Sequence, residues 1–359
     1  MEPPVKKYKA NDINFIIDTI DSYIQKIKLS QKCLKAVLGS EFDLPLPLIK
    51  VYIGQIINLK DISRAILILN DKLSLKGLQH LKRVCKKEII LCPSSYLDDS
   101  TLIQDYINEH VPELNNVFDH FKEIEVPELP PKVKKQYKEV NSIWPCNFHP
   151  NIYYEKLVED KMFQSEELMR HRLYMNIVFE IIKWYAINTN IEFSKENIFE
   201  NINASVIVDP LTNTIVAVAF DNRLDHPMQH TAMLSIDNVA KTQNGGAWFN
   251  KSEIPEYPEI LEVLPYLKEK FPTIKFYQKQ EKWLLEGDNK KEGPYLCTGY
   301  YIYMLREPCI MCSMALVHSR VKRVFFCMDK EKHGGLKSRV KLQTIASLNH
   351  HFEVFTDFL

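Results

Sequence analysis

Strand-like apolar runs alternate with helix-period segments along most of this 359-residue chain, a pattern that predicts an α/β fold. Two observations divide it into parts. Pro127, Pro130, Pro131, Pro145 and Pro150, spread around Lys132-Val133-Lys134-Lys135, read as an extended linker. Charge is also uneven. The formal net charge is zero, yet residues 1–95 hold 16 Lys or Arg against 9 Asp or Glu. The expected organisation is a basic α+β module at 1–125, a Pro-rich linker at 126–152 and an α/β/α domain at 153–359. An insertion at about 244–294 interrupts that last domain.

In the N-terminal module, Asn14 to Leu29 places Phe15, Ile16, Ile20, Tyr23, Ile24 and Ile27 at spacings of an amphipathic helix. Ile49, Val51 and Ile53 alternate along one strand face. Asn58 can cap the next helix, whose inner face is Ile62, Ala65, Ile66, Leu69 and Leu73. Leu78 to Val84 and Glu88 to Cys92 read as two strands, and Leu102, Ile103, Tyr106 and Ile107 mark a last helix. Strand, helix, strand, strand, helix is the order of a ferredoxin-like module. Lys82, Arg83, Lys86 and Lys87 cluster about its strand pair and are the candidate phosphate contacts of a nucleic-acid-binding surface. The competing reading is a solvated charged face. Trp144 and Phe148 are expected to pin the far end of the linker to the second domain.

The second domain opens on a long helix with Leu173, Ile177, Val178, Ile181, Ile182, Trp184 and Tyr185 in a broad apolar stripe. Two strands follow, Ala204–Asp209 and Ile215–Phe220, then a short helix after His230. Beyond the insertion come the strand from Tyr300, a helix after Cys309 and the strand Arg323–Met328. That order predicts a sheet with helices on both faces. Within the insertion Leu261, Leu264, Leu267 and Phe271 suggest one more helix.

The chemistry concentrates in Arg306-Glu307-Pro308-Cys309-Ile310-Met311-Cys312. Pro308 suits the first helical position, which would set both sulfurs by a helix N-terminus where thiolates are favoured. A redox pair or two buried cysteines would give the same spacing. Upstream, His226 and His230 are candidate third ligands. Zinc nucleobase deaminases pair His-x-Glu with Pro-Cys-x-x-Cys, the glutamate moving protons. Pro227 precedes His230 by three, which favours His230 over His226. The position two after His230 is Ala232, and two after His226 is Met228, so neither frame supplies a carboxylate. The acids weighed as substitutes are Glu307, beside the cysteines, and Asp237, near two helical turns beyond His230. The remaining cysteines lack ligand spacing, and Cys92, Cys297 and Cys327 sit in apolar runs. No apolar run approaches a membrane span and no signal-peptide core follows Met1, which predicts an intracellular protein with reduced thiols. Lys6, Lys7 and Lys9 are a candidate nuclear-import patch beside the simpler reading of a solvated end.

These residues resemble one family, the non-catalytic subunit of the eukaryotic heterodimeric tRNA adenosine deaminase. The resemblance extends to Leu78-Gln79-His80-Leu81-Lys82-Arg83-Val84, Trp144-Pro145-Cys146-Asn147-Phe148-His149-Pro150 and Leu348-Asn349-His350-His351-Phe352-Glu353-Val354-Phe355. It implies a cytidine-deaminase-like C-terminal domain, zinc (Zn2+) held by His230, Cys309 and Cys312, and no catalytic residue where Ala232 stands. It implies a catalytic deaminase subunit as heterodimer partner, tRNA as ligand, adenosine-to-inosine conversion at wobble position 34 by the complex, and a place in nucleus and cytoplasm. Leu359 or its carboxylate is a candidate cover for the pocket. The alternative function is a self-sufficient zinc deaminase using an unrecognised proton shuttle.

Overall fold

The computed structural model describes residues 10–30, 32–98, 100–188, 202–243, 245–248, 258–277 and 294–358. The basic Lys6, Lys7 and Lys9 and the C-terminal Leu359 lie outside the described residues. Two compact units emerge, Met1–Leu38 with Asp160–Leu359, and Gly39–Glu159. The expected boundary at 1–125 is therefore corrected. Helix α1 (Ala10–Ser30) packs on a helix of the C-terminal unit, and β1 (Lys32–Ala36) pairs antiparallel with that unit's last strand. Ile16, Ile20, Ile24, Ile27, Leu34 and Val37 are buried there. Chain order placed this segment with its neighbours in sequence, whereas its apolar face is covered by residues more than a hundred positions away. No described helix is long and apolar enough to cross a membrane.

The unit Gly39–Glu159 contains α2 (Ser40–Asp43), β2 (Leu48–Ile56), α3 (Ile62–Lys72), β3 (Val84–Cys85), β4 (Glu88–Pro93), α4 (Ile103–His110), β5 (Phe118–Pro127), α5 (Lys134–Ile143) and α6 (Ile152–Val158). Its sheet runs β3-β4-β2-β5 with every pairing antiparallel, the ferredoxin-like arrangement. Ala65, Leu69, Ile107 and Val111 cover one sheet face together with Ile56, Ile89 and Leu91. On the other, Val51, Ile53, Ile90 and Val126 meet Leu75, Leu78, Leu81, Val140 and Trp144. Residues 126–152 thus form no free linker. Between Pro131 and Pro145 there is room for a ten-residue helix without an internal proline, and α5 fills it. Trp144 Nε1 donates to the Lys82 carbonyl at 2.6 Å, and Phe148 stacks on Tyr137 at 5.0 Å. Both rings anchor within this unit, not to the second domain as expected. The strand read at Leu78–Val84 shrinks to β3, because the residues before it make tight turns, Leu78 N–H to Leu75 O and Leu81 N–H to Leu78 O.

The larger unit continues with α7 (Ser165–Asn188), β6 (Ala204–Asp209), β7 (Thr214–Phe220), α8 (Thr231–Thr242), α9 (Pro258–Lys270), β8 (Lys275–Phe276), β9 (Tyr301–Arg306), α10 (Ile310–His318), β10 (Arg323–Met328) and β11 (Glu353–Phe358). The seven-stranded sheet has the order β1-β11-β10-β9-β6-β7-β8. Strands β9, β10 and β11 are parallel, and α10 makes the crossover from β9 to β10. Helices α8 and α10 pack together and share a core with Ile207, Ile302, Met304, Val324 and Phe326. Alternate residues of the same strands turn to α7. There the register Tyr303↔Phe325↔Phe355 stacks three rings across β9, β10 and β11, with centroids 4.7 and 5.3 Å apart. The result is the expected α/β/α sandwich. Helix α9 realises the one expected in the insertion. Its Val263 and Leu267 are buried, and Tyr266 donates to Glu180 of α7 at 2.8 Å.

Candidate metal centre

The ends of two helices make the site. His230 is the N-cap of α8 and Cys309 the N-cap of α10, both in extended backbone conformations. Proline at 308 therefore stands one residue before the cap, not at the first helical position. Cys312 lies in the first turn and is buried. The ligand atoms of His230, Cys309 and Cys312 lie within 4.8 Å of one another, and Cys309 Sγ is 3.7 Å from His230 Nδ1. His226 is exposed, and its Nδ1 accepts from the Met228 N–H at 3.2 Å inside its own loop. The histidine choice thus falls on His230.

This donor set fits zinc. Bonds of about 2.3 Å to sulfur and 2.0–2.1 Å to nitrogen in a tetrahedron put ligand atoms about 3.5 Å apart, close to the 3.7 Å between Cys309 Sγ and His230 Nδ1. Electrostatics agree. The Cys312 thiol as hydrogen-bond donor is the main cause that holds the Cys309 thiol down to about 5, aided by the Cys312 backbone N–H and the charges of His230 and Lys330, against its burial. The same bond to Cys309 and its own burial push the Cys312 thiol far up. One thiolate is thus prepared before any ion arrives.

Around the ligands, Asn203, Asp221, Arg223, Ala232, Arg306, Glu307 and Lys330 line a small pocket. Ala232 is fully buried and brings only a methyl group to it. Glu307, at 1% exposure, is turned away from proton transfer by its partners. Its carboxylate accepts the backbone N–H groups of Lys330 (3.0 Å), Leu336 (3.0 Å), Lys337 (2.6 Å) and Ser338 (3.0 Å), and also the Ser338 hydroxyl. The loop it gathers lies against α10, where Gly335 N–H donates to Pro308 O at 2.9 Å and Gly334 bridges Cys309. Two glycines permit this. A Cβ at Gly334 would sit 2.1 Å from Glu307 Oε2, and one at Gly335 2.5 Å from Ser313 Oγ. Asp237 accepts the Ala247 N–H and pairs with Lys241 at 2.7 Å. Neither acid near in sequence is available.

Asp221 is the carboxylate that sequence reading missed. It is buried, lines the pocket, and receives Arg223 Nε at 2.6 Å. Nothing in Phe220-Asp221-Asn222 marks it, since only the return of the chain from β7 into α8 brings it there. Asn203 and Lys330 arrive in the same way from the start of β6 and the end of β10.

The four cations singled out at the β3–β4 hairpin separate. Lys82, Lys86 and Lys87 are exposed. Arg83 is buried, donating to the carbonyls of Leu73 (2.7 Å), Ile90 (3.1 Å) and Leu91 (3.0 Å) and to Asn70 Oδ1 (2.8 Å). It is a structural cation and no phosphate contact. It reads as surface in the sequence because charge alone does not reveal three carbonyls waiting for donors.

Helix-end ligands on a sandwich of this topology define the cytidine-deaminase-like class, and residues 201–328 match the family described as the cytidine and deoxycytidylate deaminase zinc-binding region. That span holds His230, Cys309 and Cys312. Over 334 residues, 89% of each chain, the protein is 31% identical to the "Probable inactive tRNA-specific adenosine deaminase-like protein 3" of Danio rerio. It is 27% identical to the tRNA-specific adenosine deaminase TAD3 of Arabidopsis thaliana, covering 78% of this chain and 84% of the relative. It is 26% identical to the tRNA-specific adenosine deaminase subunit TAD3 of Saccharomyces cerevisiae, covering 75% and 68%. The chain belongs to this family of TAD3 and inactive deaminase-like 3 proteins.

Proposed function

We propose that this chain is the non-catalytic, zinc-binding and tRNA-presenting subunit of a hetero-oligomeric deaminase converting adenosine 34 of tRNA to inosine. The observation that carries the reading is Ala232, a buried methyl group two residues after His230, beside the cluster of His230, Cys309 and Cys312. Deamination needs protons moved to the ring and to the leaving ammonia, and a positioned acid–base contributes about 10²–10⁴ in rate. His230, Cys309 and Cys312 would hold zinc, and bound zinc would tie the N-termini of α8 and α10 together. Metal here serves the fold, and the partner supplies the chemistry.

The names carried by the relatives support the partner, since one is called a subunit and another inactive. The partly buried Met233, Ile236, Met311 and Met314 on α8 and α10, with Ile310 48% exposed beside them, support a face on which that partner would dock. Lys82, Lys86 and Lys87 remain as phosphate contacts, without Arg83. Nucleus and cytoplasm are the proposed location, testable by imaging the tagged full chain.

Asp221 keeps a second reading in play, self-sufficient deamination with this buried carboxylate as shuttle. One experiment separates the two. Purified alone, the chain should contain about one zinc and form no inosine in tRNA. Co-expressed with the catalytic subunit it should form a stable complex that does. Inosine formed by the lone chain and lost in Asp221→Asn would overturn the proposal in favour of the second reading. Cys309→Ser should release the metal, lower the melting temperature and cut the activity of the complex. A metal-free yet stable and fully active Cys309→Ser complex would remove the structural role of zinc.

A further inference from the structure

On the α7 face of the larger sheet, at the start of β9 and away from the Arg306 end that borders the metal pocket, lies a cavity of about 110 Å³. Arg170, His171, Tyr174, Tyr301 and Arg323 are among its walls. His171 is 5% exposed and Tyr174 4%, so both are among the buried polar side chains of the core.

Several hydrogen-bond donors of this cavity are left over. Tyr303 is fully buried, and its hydroxyl has one partner among the described residues, His171 Nδ1 at 2.8 Å. A buried hydroxyl left without an acceptor is costly, so Tyr303 O–H donates and His171 Nδ1 accepts. The remaining proton of the neutral ring is then on Nε2, which becomes a donor with no protein acceptor among the described residues. Burial, with Arg323 and Arg170 nearby, holds the imidazole neutral by pushing its proton affinity down to about 3. The Tyr174 hydroxyl and the Arg170 guanidinium likewise have no hydrogen-bond partner among the described residues.

The acids close by are engaged. Glu167 accepts the Gln164 N–H at 3.0 Å, and Glu353 receives Arg323 Nε. Arg323 also donates to the Tyr301 hydroxyl at 2.9 Å. His171 Nε2–H, Tyr174 O–H and the Arg170 guanidinium are left over as donors, beside one carboxylate, Glu167, and one amide, Asn213, in the same walls. Three donors of this kind, one of them a guanidinium, complement the oxygens of a phosphoryl group. The flanking Tyr174 and Tyr301 rings offer apolar surface to whatever that group is attached to.

We propose that this cavity is a second ligand site, binding the oxyanion of inorganic phosphate or of a small phosphate monoester through His171 Nε2–H, Tyr174 O–H and Arg170. The two sources share the same chemistry, and titration distinguishes them. Calorimetry on the full metal-loaded chain, with inorganic phosphate in one arm and phenyl phosphate in the other, should show saturable binding below about 1 mM. Tighter binding of phenyl phosphate would identify a monoester whose ring meets the tyrosines, and equal affinity would identify free phosphate. Either result supports the site. Arg170→Ala and Tyr174→Phe should each weaken binding about tenfold or more. Both should leave zinc content unchanged. Arg170 is exposed, so its variant tests the site even if Tyr174→Phe lowers the melting temperature. Absence of saturable binding up to about 10 mM, or parental affinity in Arg170→Ala, would overturn the proposal.

Discussion

Among the four cations of the β3–β4 hairpin, Arg83 is the one whose removal should unfold rather than weaken binding. Arg83→Ala leaves three buried carbonyls without donors, and each unmet group costs about 1–3 kcal/mol. A destabilisation of about 3 kcal/mol or more is expected by urea titration. Lys86→Glu with Lys87→Glu should leave stability within about 0.5 kcal/mol while weakening tRNA binding, less so at high salt. Unchanged affinity at low salt would make that pair a solvated face only. His171 makes a pH prediction at the same scale. Its native-state affinity for a proton is depressed to about 3, by burial first and then by Arg323 and Arg170. Above about pH 6.5 neither state is protonated and nothing is gained or lost. Below that, the unfolded chain takes a proton the native one refuses, so stability falls by about 1.4 kcal/mol per pH unit down to about pH 3. Urea titrations at pH 7, 6 and 5 should show this slope in the parent and a shallower one in His171→Gln.

At the scale of elements, the end of α10 that carries Cys309 and Cys312 depends on a loop held by one side chain. Glu307 gathers four backbone N–H groups and a hydroxyl from residues 330–338, and the loop in turn lies along Pro308 and Cys309. Glu307→Gln turns one acceptor end into a donor facing N–H groups. It should cost about 2–4 kcal/mol and expose amides 334–338 to hydrogen exchange. Gly334→Ala should do the same from the other side, because its Cβ would meet the carboxylate. Faster loss of zinc to a chelator should accompany both. Parental exchange protection in Glu307→Gln would show that the loop is held by other contacts.

For the molecule as a whole, the larger unit is closed by α1, β1 and Val37. Strand β1 covers the β11 edge of the sheet, Val37 N–H donates to Val354 O at 2.8 Å, and Gln343 reaches the Val37 carbonyl at 3.2 Å. A chain starting at residue 39 loses this edge and the buried face of α1. Its larger unit should melt at least about 10 °C lower, whereas deletion of residues 1–9 alone should leave that transition in place. Differential scanning calorimetry on the two truncations decides this. An unshifted transition in the longer deletion would show that the N-terminal segment is dispensable for the sandwich.

Sequence by itself determined what depends on local pattern. The apolar periods of α7, α8 and α10 and the strands β6, β7, β9 and β10 were legible because each forms from contiguous residues with one buried face. So was the cluster of His230, Cys309 and Cys312, because spacing at helix ends is a short-range property. Tertiary structure alone decided what depends on partners far along the chain. It moved α1 and β1 to the larger unit and folded residues 134–143 into the core of the smaller one. Arg83 was sent inside, Glu307 was fixed to a loop, and Asp221 was delivered to the pocket around His230, Cys309 and Cys312. A charged side chain looks the same in sequence whether water or backbone carbonyls surround it. Its role follows from which unmet hydrogen-bonding groups the fold carries to it.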